Sequence, residues 1–236
     1  MSTHVYFDGL NVFMRHYIAN PSVSLHGQNC GGILGFMRNL HHIIDKFHPE
    51  KLVVVWEGGG SVRRRSIDKD YKQGRRPVKL NRNDEDIPDT VENYDYQLKT
   101  LIECLKKTSV TQIYVNDCEA DDVIGYICRH KKASKKTIIV SSDKDYYQLI
   151  DENCHVWSPN QKKMIKIEDV VEKFGIHPNN FCAVRCFSGD QSDGIKGSKG
   201  AGFKTMSKRF PDVIKEDFIS VSDIIKESED RINNNN

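Results

Sequence analysis

The chain has 236 residues, of which 38% are hydrophobic, and its mean hydropathy is −0.58. This length suits one sizeable α/β domain with a small appendage. Every apolar run is shorter than the roughly 18 residues of a membrane span. The first predicted strand begins within a few residues of the N-terminus. We therefore expect neither a membrane anchor nor a signal peptide. Seven scattered cysteines without a CxxC pair predict reduced thiols and a cytoplasmic protein.

The net charge of +2 conceals a strongly basic segment. Between Val62 and Arg82 nine basic residues face only two acidic ones, so this segment has a net charge of +7. Taken alone, such a run is more often a solvated surface or a loop. Beside a cluster of carboxylates, it suits a protein that holds a polyanion in its basic part and cleaves it with metal ions in its acidic part.

Apolar periodicity divides the first part of the chain into alternating strands and helices. We predict strands at residues 4–8, 51–56, 112–116 and 137–142, and helices at residues 31–47, 91–107, 119–131 and, briefly, from 144. Residues 61–90 show little periodicity and are either a loop or a helical excursion. The alternation predicts an α/β fold with a mainly parallel, doubly wound central sheet flanked by helices. Ligands of such sheets bind outside the carboxyl ends of the strands.

The pattern changes after residue 150. A hairpin is predicted around residues 158–160, followed by helices at 167–174, from 178, and up to 210. We therefore predict a core at 1–150, which includes the segment at about 61–90, and a C-terminal region at 151–236 that ends in a charged tail.

Acidic residues recur where the predicted strands end. The full set is Asp8, Glu57, Glu119, Asp121, Asp122, Asp143, Asp145, Asp190 and Asp193. Taken singly, several of these residues are explained by helix capping. If they converge at one edge of the sheet, their mutual repulsion is severe without bound cations. Clustered carboxylates select hard ions such as Mg²⁺ or Mn²⁺ rather than Zn²⁺, so the sequence predicts a site for two divalent metals.

A glycine-rich stretch at 194–205 lies between two predicted helices. Gly197, Gly200 and Gly202 allow tight turns and close approach of backbone N–H groups to a phosphate. Lysines add positive charge to the same stretch. We interpret it as a phosphate clamp of the helix-hairpin-helix type, with a flexible loop as the alternative.

In this order, the motifs resemble those of the structure-specific 5′ nucleases, the family of flap endonucleases and 5′→3′ exonucleases. Residues 119–125 (EADDVIG) match the family's EADD helix, and residues 142–149 (SDKDYYQL) match its SxDKDxxQL turn. Residues 189–205 resemble its GDxxDN motif and helix-three-turn-helix. Residues 8–15 resemble its first strand and helix, and residues 57–75 the run into its helical arch.

The resemblance extends from about residue 4 to residue 210 and implies a fold and an activity. It implies a nuclease core with a helical arch at about 61–90, and a C-terminal helix-three-turn-helix that binds duplex DNA. The implied activity is metal-dependent 5′→3′ exonuclease and 5′-flap endonuclease cleavage in replication and repair. Implied cofactors are two Mg²⁺ ions, for which Mn²⁺ substitutes, and K⁺ at the C-terminal hairpin. Implied partners are DNA with 5′ flaps, nicks or free 5′ ends, and RNA–DNA hybrids, bound by a monomer in bacterial or phage-infected cytoplasm.

The resemblance also assigns roles to residues. Asp8, Glu57, Glu119 and Asp121 are expected to hold the tighter metal with support from Asp122, and Asp143, Asp145, Asp190 and Asp193 the weaker one. Lys72 and Arg75 are expected to polarise the scissile phosphate, and Tyr71 to stack on a base. The expected DNA contacts are Arg15, Arg64, Tyr71, Arg76, Lys79, Arg82, Lys196, Gly197, Lys199, Gly200, Gly202, Lys204 and Thr205.

Three positions depart from the family pattern. Glu57 stands where Asp is usual, Gly194 stands where Asn is common, and Ser198 varies within the hairpin. The chain also lacks a polymerase domain, which makes it resemble a free-standing phage or bacterial-type enzyme. Two alternatives stay open: a PIN-like ribonuclease, and a non-catalytic binder of branched nucleic acid.

Overall fold

A six-stranded sheet forms the centre of the molecule. The structure is a computed structural model that describes residues 2–59, 61–72, 91–130 and 135–234. The strands of the central sheet are β1 (Thr3–Asp8), β2 (Lys51–Trp56), β3 (Thr111–Tyr114), β4 (Lys136–Val140), β5 (Cys154–Ser158) and β6 (Lys163–Ile165). Within the described ranges, the helices fall short of the length and hydrophobicity needed to cross a membrane.

The strand order is β3-β2-β1-β4-β5-β6. Strands β1 to β5 are parallel, and β6 returns antiparallel to β5 through the predicted hairpin. The chain adds β2 and β3 on one side of β1 and then crosses to place β4 on the other side. The switch point therefore lies between β1 and β4, which is where open α/β sheets bind ligands. The predicted mainly parallel sheet flanked by helices is confirmed.

Helices cover both faces of the sheet. The described helices are α1 (Gly9–Ala19), α2 (Gly31–Phe47), α3 (Ser61–Ile67), α4 (Val91–Lys106), α5 (Ala120–His130), α6 (Ile167–Phe174), α7 (Pro178–Ser188), α8 (Phe203–Arg209) and α9 (Val221–Asn233). The short helix expected after Lys144 is a 3₁₀ turn at Asp145–Leu149. Part of the segment at 61–90 is helical, as α3, while residues 73–90 lie outside the described residues.

Alternation along β1 explains the two core layers, because successive side chains of a strand point to opposite faces. Val5 and Phe7 pack with α1, α2 and α4, whereas Tyr6 packs on the opposite face with α5 and α7. All of these strand side chains are nearly inaccessible. The sheet is thus buried on both faces, as its continuous apolar runs predict.

The C-terminal part has a smaller core of its own, built from α7, α8 and α9. Between α7 and α8 the chain forms a two-stranded ribbon of β7 (Gly189–Asp190) and β8 (Ile195–Lys196). Strands β5 and β6 nevertheless complete the central sheet, so the core sheet continues past the boundary predicted at residue 150. The division into functional domains stays a prediction.

Gly9, directly after Asp8, lets α1 start close against β2. A Cβ at this position would meet Cε3 of Trp56 at 2.6 Å and the Val55 carbonyl oxygen at 2.8 Å. We expect Gly9→Ala to lower the free energy of unfolding by about 1–3 kcal/mol, as overpacking does. Gly125→Ala is the matched control, because its Cβ meets nothing within 4 Å and a helical Ala gains up to about 1 kcal/mol over Gly. Urea unfolding measures both, and equal stabilities would contradict this packing.

Candidate active site

The carboxyl edge of the sheet opens into a cleft of about 580 Å³, here called the carboxylate cleft. Seven of the nine predicted acidic residues line it: Asp8, Glu57, Glu119, Asp121, Asp143, Asp145 and Asp193. The eighth, Asp190, lines an adjoining cleft that shares Asp143, Asp145 and Asp193 with the first. The ninth, Asp122, lies beside the cleft and accepts a hydrogen bond from Arg64 at 2.7 Å. The structure therefore brings the predicted residues to one edge of the fold.

Asp8 is the most enclosed carboxylate at the switch point, with 7% of its surface exposed. Its side chain caps α1 by accepting from the Asn11 amide at 3.2 Å. It also accepts from the hydroxyls of Ser141 at 3.2 Å and Tyr146 at 3.1 Å. Burial, and then the charge of Glu57, raise the pKa of Asp8 to about 7 despite these three hydrogen bonds.

Glu119 joins the EADD segment to the basic segment. It is 2% exposed and forms a close ion pair with Arg64. It also accepts from Lys72 Nζ at 2.7 Å and from the Tyr71 hydroxyl at 3.2 Å. Arg64 additionally lies 3.7 Å from Asp121. The two basic side chains expected to contact substrate thus neutralise carboxylates in this arrangement.

Tyr71 departs from its expected role. Its ring is only 7% exposed and lies under the cations of Lys72 and Arg64, at 5.0 and 5.8 Å from the ring centroid. A base has no open face on which to stack here, so we correct the stacking interpretation. In this arrangement Tyr71 is a buried support for Glu119.

Glu57 lies at the end of β2, where its carboxylate accepts from the Ala120 amide at 3.3 Å. Burial, and then the charge of Glu119, raise its pKa. Glu57 stands at a position where the family usually has Asp. Its side chain nevertheless reaches both the carboxylate cleft and the start of α5.

The second group of carboxylates is organised by Arg185 of α7. Its guanidinium lies 3.3 Å from Asp145 and forms a close ion pair with Asp190. Asp143 accepts from the Asp145 amide at 2.9 Å, which shapes the turn after β4. Burial, and then Asp143, raise the pKa of Asp145. At Asp190, burial acts to raise the pKa, but hydrogen bonds from Ser192 and the charge of Arg185 outweigh it. The pKa of Asp190 is therefore lowered.

The described residues contain no set of three Asp, Glu, His or Cys side chains close enough to surround one metal ion. Arg64, Lys72 and Arg185 form ion pairs with carboxylates of the site. These three cations offset only part of the negative charge of the nine carboxylates.

The donor set nevertheless fits hard divalent ions. Oδ1 of Asp121 and Oδ1 of Asp145 are buried and make no hydrogen bond within the described part of the chain, although guanidinium groups lie 3.7 and 3.3 Å away. Burial raises the pKa of Asp121 to about 6, and the charge of Arg64 offsets only part of this shift. Buried, crowded carboxylate oxygens of this kind are stabilised by a divalent cation and are the ligands that Mg²⁺ and Mn²⁺ prefer.

The other predicted contacts are spread around the cleft. Arg15 lines the cleft and donates from Nε to Asn160 Oδ1. In the glycine-rich stretch, Lys196, Lys199 and Lys204 are exposed and Thr205 is half-buried. Gly202 is the N-cap of α8. Gly200 has a φ of +78° in open space, and Gly197 approaches the Ser188 carbonyl too closely for a Cβ. Four predicted residues lie outside the described residues: Arg75, Arg76, Lys79 and Arg82.

Sequence reasoning missed three side chains that organise the site. Ser141 and Tyr146 hold Asp8, and Arg185 joins Asp145 to Asp190. Ser141 and Tyr146 fall within or beside the SDKDYYQL motif, which is the signal that marks them. Arg185 sits in an apolar helix pattern and has no local signal, because its partners come from another part of the chain.

The raised pKa of Asp8 predicts how stability depends on pH in metal-free protein. Its pKa is about 3.8 when unfolded and about 7 when folded, so its charge destabilises the fold progressively above pH 4 and fully above pH 7. We expect Asp8→Asn to raise the free energy of unfolding in EDTA by up to about 4 kcal/mol at pH 8, and much less at pH 4.5. Glu152→Gln, at an exposed position that does not line the cleft, is the control. A pH-independent difference, measured by urea unfolding, would contradict the buried charge.

The fold is similar to that of known nuclease structures. A structure described as "Divalent metal ions (zinc) bound to T5 5′-exonuclease" superposes with a TM-score of 0.73 at 21% identity, over 95% of this chain and 79% of that one. Flap endonuclease-1 from Methanococcus jannaschii superposes with a TM-score of 0.53 at 15% identity, over 96% and 74%. At these identities the likeness concerns the fold alone.

Sequence similarity establishes the family. The 5′-3′ exonuclease of Aquifex aeolicus (strain VF5) is 31% identical over 87% of this chain and 68% of its own length. Flap endonuclease Xni of Shewanella woodyi is 29% identical over 88% and 77%. The model of the 5′-3′ exonuclease N-terminal, resolvase-like domain matches residues 3–175. The family predicted from the motifs is confirmed: the chain belongs to the 5′-3′ exonucleases and is a nuclease.

Proposed function

We propose that this nuclease hydrolyses phosphodiester bonds in DNA near free 5′ ends and 5′ flaps, using divalent metal ions held in the carboxylate cleft. The observation that carries the proposal is the convergence of seven acidic residues from separate strands and turns on one cleft. Relatives named as a 5′-3′ exonuclease and as a flap endonuclease support the substrate class. The divalent zinc ions bound to T5 5′-exonuclease, whose fold is similar, support the use of divalent metals.

Two groups of residues would hold the metals. Asp8, Glu57, Glu119 and Asp121, supported by Asp122, form the tighter group, and Asp143, Asp145, Asp190 and Asp193 form the weaker one. Divalent ions bound there supply Lewis-acid activation of water and stabilisation of the leaving oxygen. We propose Mg²⁺ as the metal that binds at both positions, and Mn²⁺ as an ion that can replace it. Nine carboxylates exceed what two ions need directly, so some act through water or by orienting the others.

The basic side chains change partners in this proposal. Arg64 and Lys72 neutralise the EADD carboxylates in the present arrangement. With divalent ions bound, Arg64 and Lys72 would no longer be needed to neutralise these carboxylates, and both side chains would be available to the substrate phosphate. Lys72 then polarises the scissile phosphate together with Arg75, and Arg76, Lys79 and Arg82 follow the single-stranded 5′ end.

The glycine-rich stretch is proposed to grip duplex DNA. Its three lysines are exposed, and Gly200 has a positive φ with no atom within 4 Å of where a Cβ would lie, so a phosphate has room to approach the backbone there. The helix-three-turn-helix assignment and its K⁺ site remain part of this proposal. Contacts of this kind read phosphates and shape, so little sequence specificity is expected.

A gel assay with labelled substrates tests the proposal. A 5′-flap, a nicked duplex, an RNA–DNA hybrid and a single-stranded RNA are incubated with Mg²⁺ or with EDTA. We expect Mg²⁺-dependent cleavage near the 5′ end of the DNA substrates and none in EDTA. Cleavage of single-stranded RNA alone would favour a PIN-like ribonuclease. Tight binding without cleavage in Mg²⁺ would instead favour a non-catalytic binder and refute the proposal.

A further inference from the structure

A second cleft, of about 620 Å³, adjoins the carboxylate cleft, and Arg15 lines both. Its walls come from α1, from α2 and from the turn between β5 and β6. Three lining side chains carry a permanent positive charge: Arg15, Arg38 and Lys162. Among the described residues that line it, none is an aspartate or glutamate. The sign of the charge therefore reverses at Arg15, and we call this second space the cationic cleft.

The positive charges of the cationic cleft are not neutralised by other residues in the described part of the chain. Arg38 and Lys162 are exposed, and neither forms an ion pair or a side-chain hydrogen bond with any residue in the described ranges. Arg64 and Lys72 differ in this respect, because carboxylates engage both of them. Two uncompensated cations that face one concave surface attract an anion.

The packing of His16 adds polar groups without adding charge. His16 of α1 lies against Gly35 of α2, where a Cβ would meet the imidazole ring at 2.4 Å. Burial, and then the Arg15 charge, lower the pKa of His16 to about 4, so its ring is neutral near pH 7. His16 Nε2 and Asn39 Oδ1 are buried without a hydrogen-bond partner in the part of the chain described. A neutral imidazole and an amide can each present an N–H donor, depending on tautomer and amide orientation.

The chemistry of the cleft favours phosphate over a nucleobase. Guanidinium and ammonium groups are the usual partners of phosphate oxygens. The tryptophan that lines the cleft, Trp157, is only 4% exposed, so it offers little surface on which a base can stack.

We propose that the cationic cleft binds a phosphate group of the substrate strand next to the one that is cut, through Arg38 and Lys162, with Arg15 bridging the two clefts. This inference rests on the proposed function. The phosphate is either an internal one of a continuing strand or the terminal one of a 5′-phosphorylated end. The chemistry is the same in both cases, and the substrates of the test distinguish them.

The test uses the double variant Arg38→Gln/Lys162→Gln of the full chain. Binding to a fluorescent 5′-flap DNA is measured by anisotropy in Ca²⁺, over a series of KCl concentrations. We expect affinity to fall about 10-fold or more, and the slope of log K against log salt to become shallower by about 1, because the variant no longer neutralises one phosphate. The control Lys51→Gln/Lys107→Gln removes two exposed charges near the amino edge of the sheet and should keep the wild-type slope.

Substrates with a 5′-phosphate or a 5′-hydroxyl identify the source of the phosphate. If the double variant loses only the advantage of the 5′-phosphate, the cleft holds a terminal phosphate. If it loses affinity equally for both, the cleft holds an internal one. An unchanged affinity and salt slope in a variant with a wild-type melting temperature would overturn the inference. Failure of the proposed function looks different, because the wild type would then show no Mg²⁺-dependent cleavage.

Discussion

Replacing Asp143 and Asp145 together by Asn is expected to lower the rate of DNA cleavage in Mg²⁺ on the order of 10³-fold, while DNA affinity stays within about threefold of wild type. Both residues follow β4 at the switch point and line the carboxylate cleft. Asn keeps the shape and an acceptor for the 2.9 Å bond from the amide of residue 145, so the turn is retained. What is lost is the negative charge that holds a cation.

Single-turnover cleavage and anisotropy binding measure the two effects separately. Glu152→Gln is the matched control, because it removes an exposed carboxylate that lies between the 3₁₀ turn and β5. It should cleave at the wild-type rate. Undiminished cleavage by Asp143→Asn/Asp145→Asn would remove these residues from the metal site. A loss of rate that is matched by a loss of affinity would point to a disturbed fold.

Lys72→Met is expected to lower the single-turnover rate on the order of 10²-fold with a much smaller effect on DNA affinity. Lys72 donates to Glu119 at 2.7 Å, and its backbone amide donates to the Asp193 carbonyl at 3.0 Å. The side chain is therefore fixed between the two groups of carboxylates. Met preserves its length and removes the positive charge, so the variant tests whether that charge acts on the phosphate during the reaction.

Lys69→Met is the control for Lys72→Met, because it removes an exposed charge from the same basic segment. It should change affinity slightly and leave the single-turnover rate intact. A wild-type rate for Lys72→Met under saturating enzyme would contradict a role in the chemical step. Lys72 would then serve only to neutralise Glu119 in the metal-free protein.

Local sequence patterns were sufficient to predict the sheet and the carboxylates. Apolar runs that end in Asp8, Glu57 and Asp143 place these residues at the carboxyl edge of a parallel sheet, because parallel strands share that edge. The EADD segment was predicted to start a helix, and that helix begins beside the same edge of the sheet. These inferences need only parallel strands that share a carboxyl edge, and β1, β2 and β4 are parallel.

Pairings between distant segments were beyond the reach of sequence patterns. Arg64 was expected to meet DNA, but it binds Glu119, which lies 55 positions further along the chain. Tyr71 was expected to stack on a base, but it is buried against the same Glu119. The cationic cleft joins Arg38 and Lys162 from distant elements. Periodicity along the chain does not indicate such contacts. They depend on how distant elements meet in three dimensions: the basic segment with the start of α5, and α1 and α2 with the β5–β6 turn.

Anomalous diffraction from crystals grown with Mn²⁺ tests the central claim most directly. We predict two anomalous peaks in the carboxylate cleft, one beside Asp8, Glu119 and Asp121 and one beside Asp143 and Asp145, at metal–oxygen distances of roughly 2.0–2.3 Å. Arg64 and Lys72 should have turned away from Glu119. A cleft without peaks at a Mn²⁺ concentration that supports cleavage, with both ion pairs to Glu119 intact, would contradict the account.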